Sequence, residues 1–165
     1  MSAHDTFLVV LGLAAIVDGL LAGASLDQSI EQLPARHRIG TAAYSAYSRA
    51  AHLGNGRFWL IPLGLGGAAL TIATAIWGLT FGLSANQSTP LIVGAILAVA
   101  HSLTTAIAAP LNASQWREGT NEAAVASILQ HFERWQALRA ALQFVTFAVV
   151  VLALAQNSGV IGGYR

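Results

Sequence analysis

Four long apolar stretches organise this chain of 165 residues, at about 7–25, 58–83, 91–111 and 135–156. The hydrocarbon core of a bilayer is about 30 Å thick, and a helix needs roughly 20 mainly apolar residues to cross it. Each stretch comes close to that length, and the second carries no charged residue. We therefore predict an all-α fold, a four-helix transmembrane bundle in which residues 1–165 form one domain.

The composition argues against a soluble protein. Hydrophobic residues make up 55% of the chain and charged residues only 9%, whereas soluble domains contain about 25% charged residues. The net charge of +1 and the absence of a basic cluster exclude nucleic acid as a partner. The chain contains no cysteine, which excludes disulfides, thiolate metal sites and a cysteine nucleophile.

The segments between the apolar stretches are predicted to lie outside the membrane core. In the first, apolar residues recur with a helical period from Ile39 to Leu53, which predicts an amphipathic helix lying along the membrane interface. The second, Ser84–Pro90, is predicted to be a short turn. The third, Asn112–Arg134, is predicted to be a longer polar connection.

The arginines predict the orientation of the bundle, because short cytoplasmic loops are enriched in basic residues. Six arginines lie in the first and third connections, whereas the termini and the second connection hold only Arg165. We expect an integral protein of a bacterial inner membrane with both termini on the non-cytoplasmic side. The first stretch has a second interpretation as a cleaved signal peptide, since Ala22-Gly23-Ala24 resembles a cleavage site; the segment before it, however, lacks the usual basic residues.

Polar side chains recur at helical spacing within the apolar stretches. The first contains Asp18 on a face of small residues, and the second contributes small and hydroxyl residues. The stripe of the third comprises His101, Thr104, Thr105, Ala108 and Asn112, and that of the fourth comprises His131, Trp135, Arg139, Gln143 and Thr146. Charged residues in a spanning helix usually face the bundle interior. These stripes therefore predict one polar pocket in the cytoplasmic half of the bundle.

Several interpretations of these residues are open. Asp18 and Arg139 are predicted to form a structural ion pair or to face a polar ligand from opposite sides, while Arg139 alone could extend to the interface. His101 fits either a hydrogen-bonded interior residue or a base. The hydroxyls of Thr104 and Thr105 could bond to carbonyls of their own helix.

Cofactor motifs are absent from the sequence. It contains no HExxH, no GxSxG, no phosphate-binding glycine loop and no Glu-x-x-His pair of a di-iron bundle. We therefore predict no metal site and no dedicated cofactor. Haem is possible through His101 or His131, because axial ligation requires only a suitably placed imidazole.

Two elements around the last two stretches resemble a known family. Ala109-Pro110-Leu111-Asn112 closes the third stretch, and Arg134-Trp135-Gln136-Ala137-Leu138-Arg139 opens the fourth. These elements resemble the DUF1772, or anthrone oxygenase-like, membrane proteins, in which Pro-x-Asn follows the third span and Trp-x-x-x-Arg leads into the last. The length and span order are also similar. The family often has His or Asn between the Trp and the Arg, where this chain has Gln, Ala and Leu.

The resemblance implies an oxygenase that acts on an apolar polycyclic phenol or anthrone without a dedicated organic cofactor. In such a reaction a base removes an acidic C–H proton and the resulting anion reduces O₂. Asp18 or His101 would be the base, and Arg139 and Asn112 would stabilise the oxyanion. The side chains expected to contact substrate, besides Asn112, are Trp135, Thr105, Gln143 and His131.

A different class of function is also open on the sequence. In it the polar residues are structural, and the bundle is a non-catalytic subunit or binding protein, including a haem protein, that docks onto a larger membrane complex. A homo-oligomer is equally compatible with the sequence. In every case the lipid bilayer is the predicted environment.

Overall fold

A computed structural model describes residues 1–118 and 121–159, and Arg165 lies outside this part of the chain. The described residues contain helices and no strand. The helices are α1 (Ala3–Asp27), α2 (Leu33–Ile39), α3 (Thr41–Ala50), α4 (Arg57–Thr80), α5 (Ala85–Ala113), α6 (Gln115–Glu118) and α7 (Glu122–Asn157). A wider π-helical turn at Gln28–Gln32 joins α1 to α2, and the segment Ala51–Gly56, which is kinked at Gly54, joins α3 to α4. The predicted all-α fold is confirmed.

Four helical stretches among the described residues are long and apolar enough to cross a membrane: Ala3–Ile39, Thr41–Thr80, Ala85–Glu118 and Glu122–Asn157. Three of them contain a whole apolar stretch of the sequence, and the second contains residues 58–80 of the stretch predicted at 58–83. Each also extends beyond that stretch, so the helices are longer than a bilayer crossing alone requires. The chain is accordingly an integral membrane protein.

The bundle is apolar outside and polar inside. Large apolar side chains such as Leu65, Ile16 and Leu103 are 70%, 62% and 62% exposed, whereas Asp18 and His101 are each 2% exposed. In water, this distribution would leave large apolar side chains exposed to solvent, without the stabilisation that their burial provides. In a bilayer it is the expected one, because lipid tails solvate apolar side chains but offer no partner to polar groups.

The four long helices pack around a common centre. α1 and α5 each contact both α4 and α7, so the helices follow one another around the bundle in the order α1, α4, α5, α7. A tight turn connects α4 to α5, where Gly82 adopts a φ of 64° that favours glycine. Ser84 is the N-cap residue that precedes α5, and its backbone N–H donates to Gln87 Oε1 at 3.3 Å.

Two apolar clusters form the ends of the interior. The terminal-end cluster lies near the start of α1 and the end of α7 and comprises Phe7, Leu11, Ala14, Ala15, Ala75, Leu91, Val150 and Ala153. The arginine-end cluster lies at the opposite end of the bundle, beside α2 and α3, and comprises Leu33, Tyr44, Ala108, Val125, Leu129 and Phe132. Between these two clusters lie the polar residues Asp18 on α1, His101 and Thr104 on α5, and Arg139, Gln143 and Thr146 on α7.

The described part of the third connection, which was predicted to be a longer polar connection, is largely helical. α5 continues to Ala113, α6 follows, and α7 begins at Glu122, thirteen positions before the predicted start at Trp135. The Asn121 side chain accepts a hydrogen bond from the Ala124 N–H at 3.2 Å and caps α7. The extension is stable because its apolar residues enter the arginine-end cluster.

The predicted interfacial helix corresponds to α3, but its buried face is the polar one. Tyr44, Ser45 and Ser48 are buried against the bundle, whereas Ala43 and Ala46, on the predicted apolar face, are exposed. α3 contacts α2, α6 and α7, so it is packed onto the bundle. Its position relative to the bilayer surface stays a prediction. The second connection is shorter than predicted, because α5 begins at Ala85.

The absence of native cysteine makes the predicted orientation directly testable. Ser84, in the α4–α5 turn, and Ser127, near the start of α7, are exposed at opposite ends of the bundle. In intact bacterial spheroplasts, a membrane-impermeant maleimide should label the Ser84→Cys protein at once. The Ser127→Cys protein should be labelled only after lysis. The opposite pattern would reverse the orientation.

Candidate functional site

Asp18 is held in the middle of the bundle by α4. Its Oδ2 accepts a hydrogen bond from the Thr71 hydroxyl at 2.7 Å, and its Oδ1 has no partner in the protein. The carboxyl group rests on Gly67, which has no side chain to occupy that space. The small face predicted for α1 therefore does bring Asp18 against a neighbouring helix, with one oxygen uncommitted.

His101 is buried on α5 with both ring nitrogens free of protein partners. The hydroxyls of Thr104 and Thr105 both donate to the backbone carbonyl of His101 at 2.8 Å. The threonines thus satisfy their own helix, as one of the two interpretations of them expects. An imidazole with two uncommitted nitrogens can accept or donate a proton toward a bound molecule.

Arg139 does not pair with Asp18. Its Nη2 donates to Gln28 Oε1 at 3.3 Å, and its Nε is buried without a partner. Gln28 lies ten residues after Asp18 along a continuous helix, or about 15 Å further along its axis. The Arg139 guanidinium therefore points away from Asp18, toward the end of the bundle beside α2 and α3, which we call the arginine-rich end.

The ion pair that the described residues do form lies elsewhere. Arg36 on α2 donates to Glu133 on α7 at 2.5 Å and to the Leu129 carbonyl at 3.0 Å. This contact ties α2 to the helical extension of α7 at the arginine-rich end. Asp18 and Arg139 form no such contact, so the predicted structural ion pair between these two residues is absent.

The predicted stripe on α7 faces inward at Gln143 and Thr146, is half-buried at Trp135 and Arg139, and fails at His131. Gln143 and Thr146 are buried, but His131 is exposed, with its Nδ1 2.8 Å from the Ser127 carbonyl. Two successive backward steps of four residues rotate a stripe by about 80° on an α-helix. The buried line instead runs through Phe132 and Gln136, and His131 lies outside the interior.

Gln136 and Gln143 bring two further amides into the interior. Gln136 Nε2 donates to the Ser25 carbonyl at 3.2 Å, and the Gln136 carbonyl accepts from Ser29 Oγ at 3.5 Å. The Oε1 atoms of Gln136 and Gln143 are buried without protein partners. Together, these contacts place α7 against the end of α1 and leave two strong acceptors facing inward.

Asn112 and Trp135 lie toward the arginine-rich end of the interior. Asn112 is buried, and its Oδ1 accepts from Gln115 Nε2 at 2.5 Å, so this oxygen is already engaged. Trp135 is partly buried and packs against the arginine-end cluster. Asn112 and Trp135, two residues of the elements that resemble a known family, therefore lie at one end of the site rather than at its centre.

We call the polar side chains that lie between the two clusters the polar interior; it includes the buried Asp18, Ser25, Gln28, Thr71, His101, Gln136 and Gln143 and the half-buried Arg139. An unpaired polar group in an apolar medium costs roughly 2–7 kcal/mol. Asp18, His101, Arg139 and two glutamines all contribute uncommitted atoms. Such an arrangement is stable when a polar molecule or polar head group binds there.

The chemistry offered by the polar interior is acid–base and electrostatic. It combines a carboxyl group, an imidazole, a guanidinium and amide oxygens. Among the described residues, no group of three His, Cys, Asp or Glu side chains could hold a metal ion. His101 alone has the free imidazole and the buried position that an axial haem ligand needs, whereas His131 is exposed.

Sequence reasoning missed Gln28 and Gln136. Gln28 continues the Asp18, Ala22, Ser25 face by three residues, but it lies beyond the predicted end of the first span. Gln136 is three residues before Arg139, where a step of four was assumed instead. Helical periodicity indicates an inward position for both residues. Gln28 was missed because the predicted span ended before it, and Gln136 because a step of four residues was assumed.

No family model, curated protein or solved structure matches the chain. The resemblance to the anthrone oxygenase-like membrane proteins therefore stays a prediction.

The contact between Gly67 and Asp18 predicts a specific sensitivity to a single methyl group. A Cβ at position 67 would collide with the Asp18 carboxyl, whereas a Cβ at Gly64, one turn earlier, would meet nothing within 4 Å. Gly67→Ala should destabilise the protein by about 1–3 kcal/mol, as overpacking does. Gly64→Ala should leave it unchanged or stabilise it by up to about 1 kcal/mol, because alanine favours helix.

Thermal unfolding of the two variants in the same detergent measures this difference. Equal midpoints for Gly67→Ala and Gly64→Ala would show that the carboxyl of Asp18 does not rest on α4.

Proposed function

We propose that this membrane protein is an oxygenase of the anthrone oxygenase-like type, acting on an apolar polycyclic or phenolic substrate in the polar interior. The observation that carries the proposal is the buried imidazole of His101, with two uncommitted nitrogens, in a polar interior that also contains the Arg139 guanidinium. A base and a fixed positive charge in one interior are the minimum needed to form and stabilise a phenolate or enolate.

The proposed reaction begins with proton removal. His101 takes a proton from the CH₂ group of the substrate, and Arg139 stabilises the negative charge that moves onto the substrate oxygen. Once the bound substrate has displaced water from the interior, such a charge interaction is stronger than in solution. Asp18, held by Thr71, is the alternative base and can balance the imidazolium that forms.

Oxygen then reacts with the anion. The anion passes one electron to O₂, and the carbon radical and superoxide combine to form a C–O bond. The imidazolium of His101 returns its proton to the peroxide, and cleavage of the O–O bond with loss of the second hydrogen of the CH₂ group then gives a carbonyl and one molecule of water. The CH₂ group is oxidised by four electrons and one O₂ is reduced, so the atoms and electrons balance without a further reductant.

The bundle suits a substrate that arrives from the lipid. Its outer surface is apolar around the whole membrane-crossing part, and its ionisable groups lie within. An apolar aromatic body partitions into the bilayer, while its single acidic group would pair with the polar interior. We further propose the bacterial inner membrane as the location, with the arginine-rich end in the cytoplasm.

Activity measurements on three variants test the proposal. With an anthrone as substrate, His101→Asn should lower kcat by about 10²–10⁴-fold, the usual loss of a general base. Arg139→Ala should lower it by about 10²–10³-fold through loss of charge stabilisation. His131→Asn is the matched control, because this histidine is exposed, and it should retain full activity. Oxygen uptake and quinone absorbance provide the readouts.

Full activity in both interior variants would overturn the proposal, provided that each retains the helical circular dichroism of the parent. A second candidate, haem binding, rests on the same free imidazole of His101. It predicts a Soret band in the purified protein that disappears in His101→Asn, together with no oxygen uptake from an anthrone.

A further inference from the structure

Among the described residues, Arg139 has one hydrogen-bond partner, and that partner is neutral. The Oε1 of Gln28 accepts from Arg139 Nη2 at 3.3 Å. Gln28 is only 4% exposed and lies on the inner side of the helical path that continues α1. An amide oxygen carries a partial negative charge and no formal one, so this hydrogen bond orients the guanidinium without neutralising it.

The carboxylates nearest to this contact along the chain all have other partners. Asp27, which precedes the glutamine, is exposed and accepts a hydrogen bond from Gln32. Glu133, six residues before Arg139, is paired with Arg36. The carboxyl in the middle of α1 is held by α4, as described above. The part of the chain that the structure describes therefore contains no carboxylate within 4.0 Å of the Arg139 guanidinium.

The other inward-turned arginine of the bundle shows what a neutralised contact looks like. Arg36, whose side chain is 10% exposed, donates directly to the carboxylate of Glu133. Arg139 is half-buried, with its Nε buried and without a partner, yet its contact is an amide. A glutamate at position 28 would have nearly the same shape and would neutralise this charge. The glutamine leaves the charge available to a bound molecule.

A second uncommitted amide lies beside Arg139. Gln143 follows one turn later on α7, is 3% exposed, and forms no hydrogen bond through its side chain to any described residue. An amide nitrogen can donate two hydrogen bonds. An anionic oxygen bound at Arg139 would therefore find a neutral donor next to the positive charge.

We propose that Gln28 is a positioning residue that keeps the Arg139 charge uncompensated, so that the polar interior binds its ligand as an anion, a phenolate or enolate, in preference to the neutral form. This inference rests on the proposed function, since it requires the substrate oxygen to approach Arg139. A positive charge favours the ionised form of a neighbouring acid, and the effect grows where water is excluded. Gln28 acts through Arg139 and does not itself contact the ligand.

Binding of two probes of similar size to the purified full-length protein tests this role without oxygen chemistry. The phenol of para-nitrophenol ionises to a strongly coloured phenolate, whereas its methyl ether, para-nitroanisole, cannot ionise. The affinities for both probes are measured in one detergent, and the absorbance of the bound nitrophenol is followed against pH.

The variants separate charge from orientation. Gln28→Glu supplies the missing negative charge, and Gln28→Leu removes the hydrogen bond without adding a charge. Gln130→Glu is the matched control, because it adds the same charge at an exposed position on α7.

The parent should bind the phenolate more tightly than the ether, and the bound probe should ionise at a lower pH than the free probe. Gln28→Glu should reduce this preference by about tenfold or more, where tenfold corresponds to about 1.4 kcal/mol, and should shift the ionisation of the bound probe to higher pH. Gln28→Leu should reduce the preference less, because the charge remains while the guanidinium loses its orientation. Gln130→Glu should behave as the parent does.

Equal affinities for the two probes in the parent would overturn the inference, and so would an unchanged preference in a folded Gln28→Glu protein. If thermal unfolding shows that Gln28→Glu does not fold, a parental preference in Gln28→Leu overturns it instead. Failure of the proposed function gives a different result, namely a phenolate preference that depends on Gln28 without oxygen uptake from an anthrone.

Discussion

The absence of water from the bilayer core is the constraint on which this structure depends. A polar group that faces lipid tails loses its hydrogen bonds and gains nothing in return. The chain meets the constraint by turning Asp18, His101 and Arg139 inward while Leu65, Ile16 and Leu103 face outward. The hydrophobic effect does not select between helix contacts in lipid, so close packing at small residues, such as Gly67 against Asp18, becomes important for how the helices meet.

The interior is divided along the bundle axis, and this division creates the candidate site. Apolar residues pack at the terminal end around Phe7 and at the arginine-rich end around Tyr44 and Phe132. The polar interior is enclosed between them on α1, α5 and α7. An enclosed group of acid, base and guanidinium side chains with free atoms is costly for stability and useful for binding, which favours a functional role over a purely structural one.

Hydropathy alone was sufficient to predict the four helices, because a long apolar run has few alternatives in a bilayer. It was insufficient at the arginine-rich end, where ordinary packing resumes. There Val125 and Phe132 extend α7, and α3 buries its serines instead of its alanines, for reasons that involve partners distant in sequence. Helical spacing correctly placed Asp18, His101 and Gln143 inside. It could not predict that Arg139 would turn toward Gln28, because a long side chain can reach in either direction along the axis.

The central claim is that the polar interior binds a polar molecule or group within a bundle whose outer surface contacts lipid. Water-edited solid-state NMR of the histidine-labelled protein, reconstituted in bilayers without substrate, tests it most directly. The account predicts rapid magnetisation transfer from water to the ring nitrogens of His101, and loss of that signal when an apolar phenolic ligand is added. A His101 ring that receives no magnetisation from water and is unaffected by such a ligand would contradict the account.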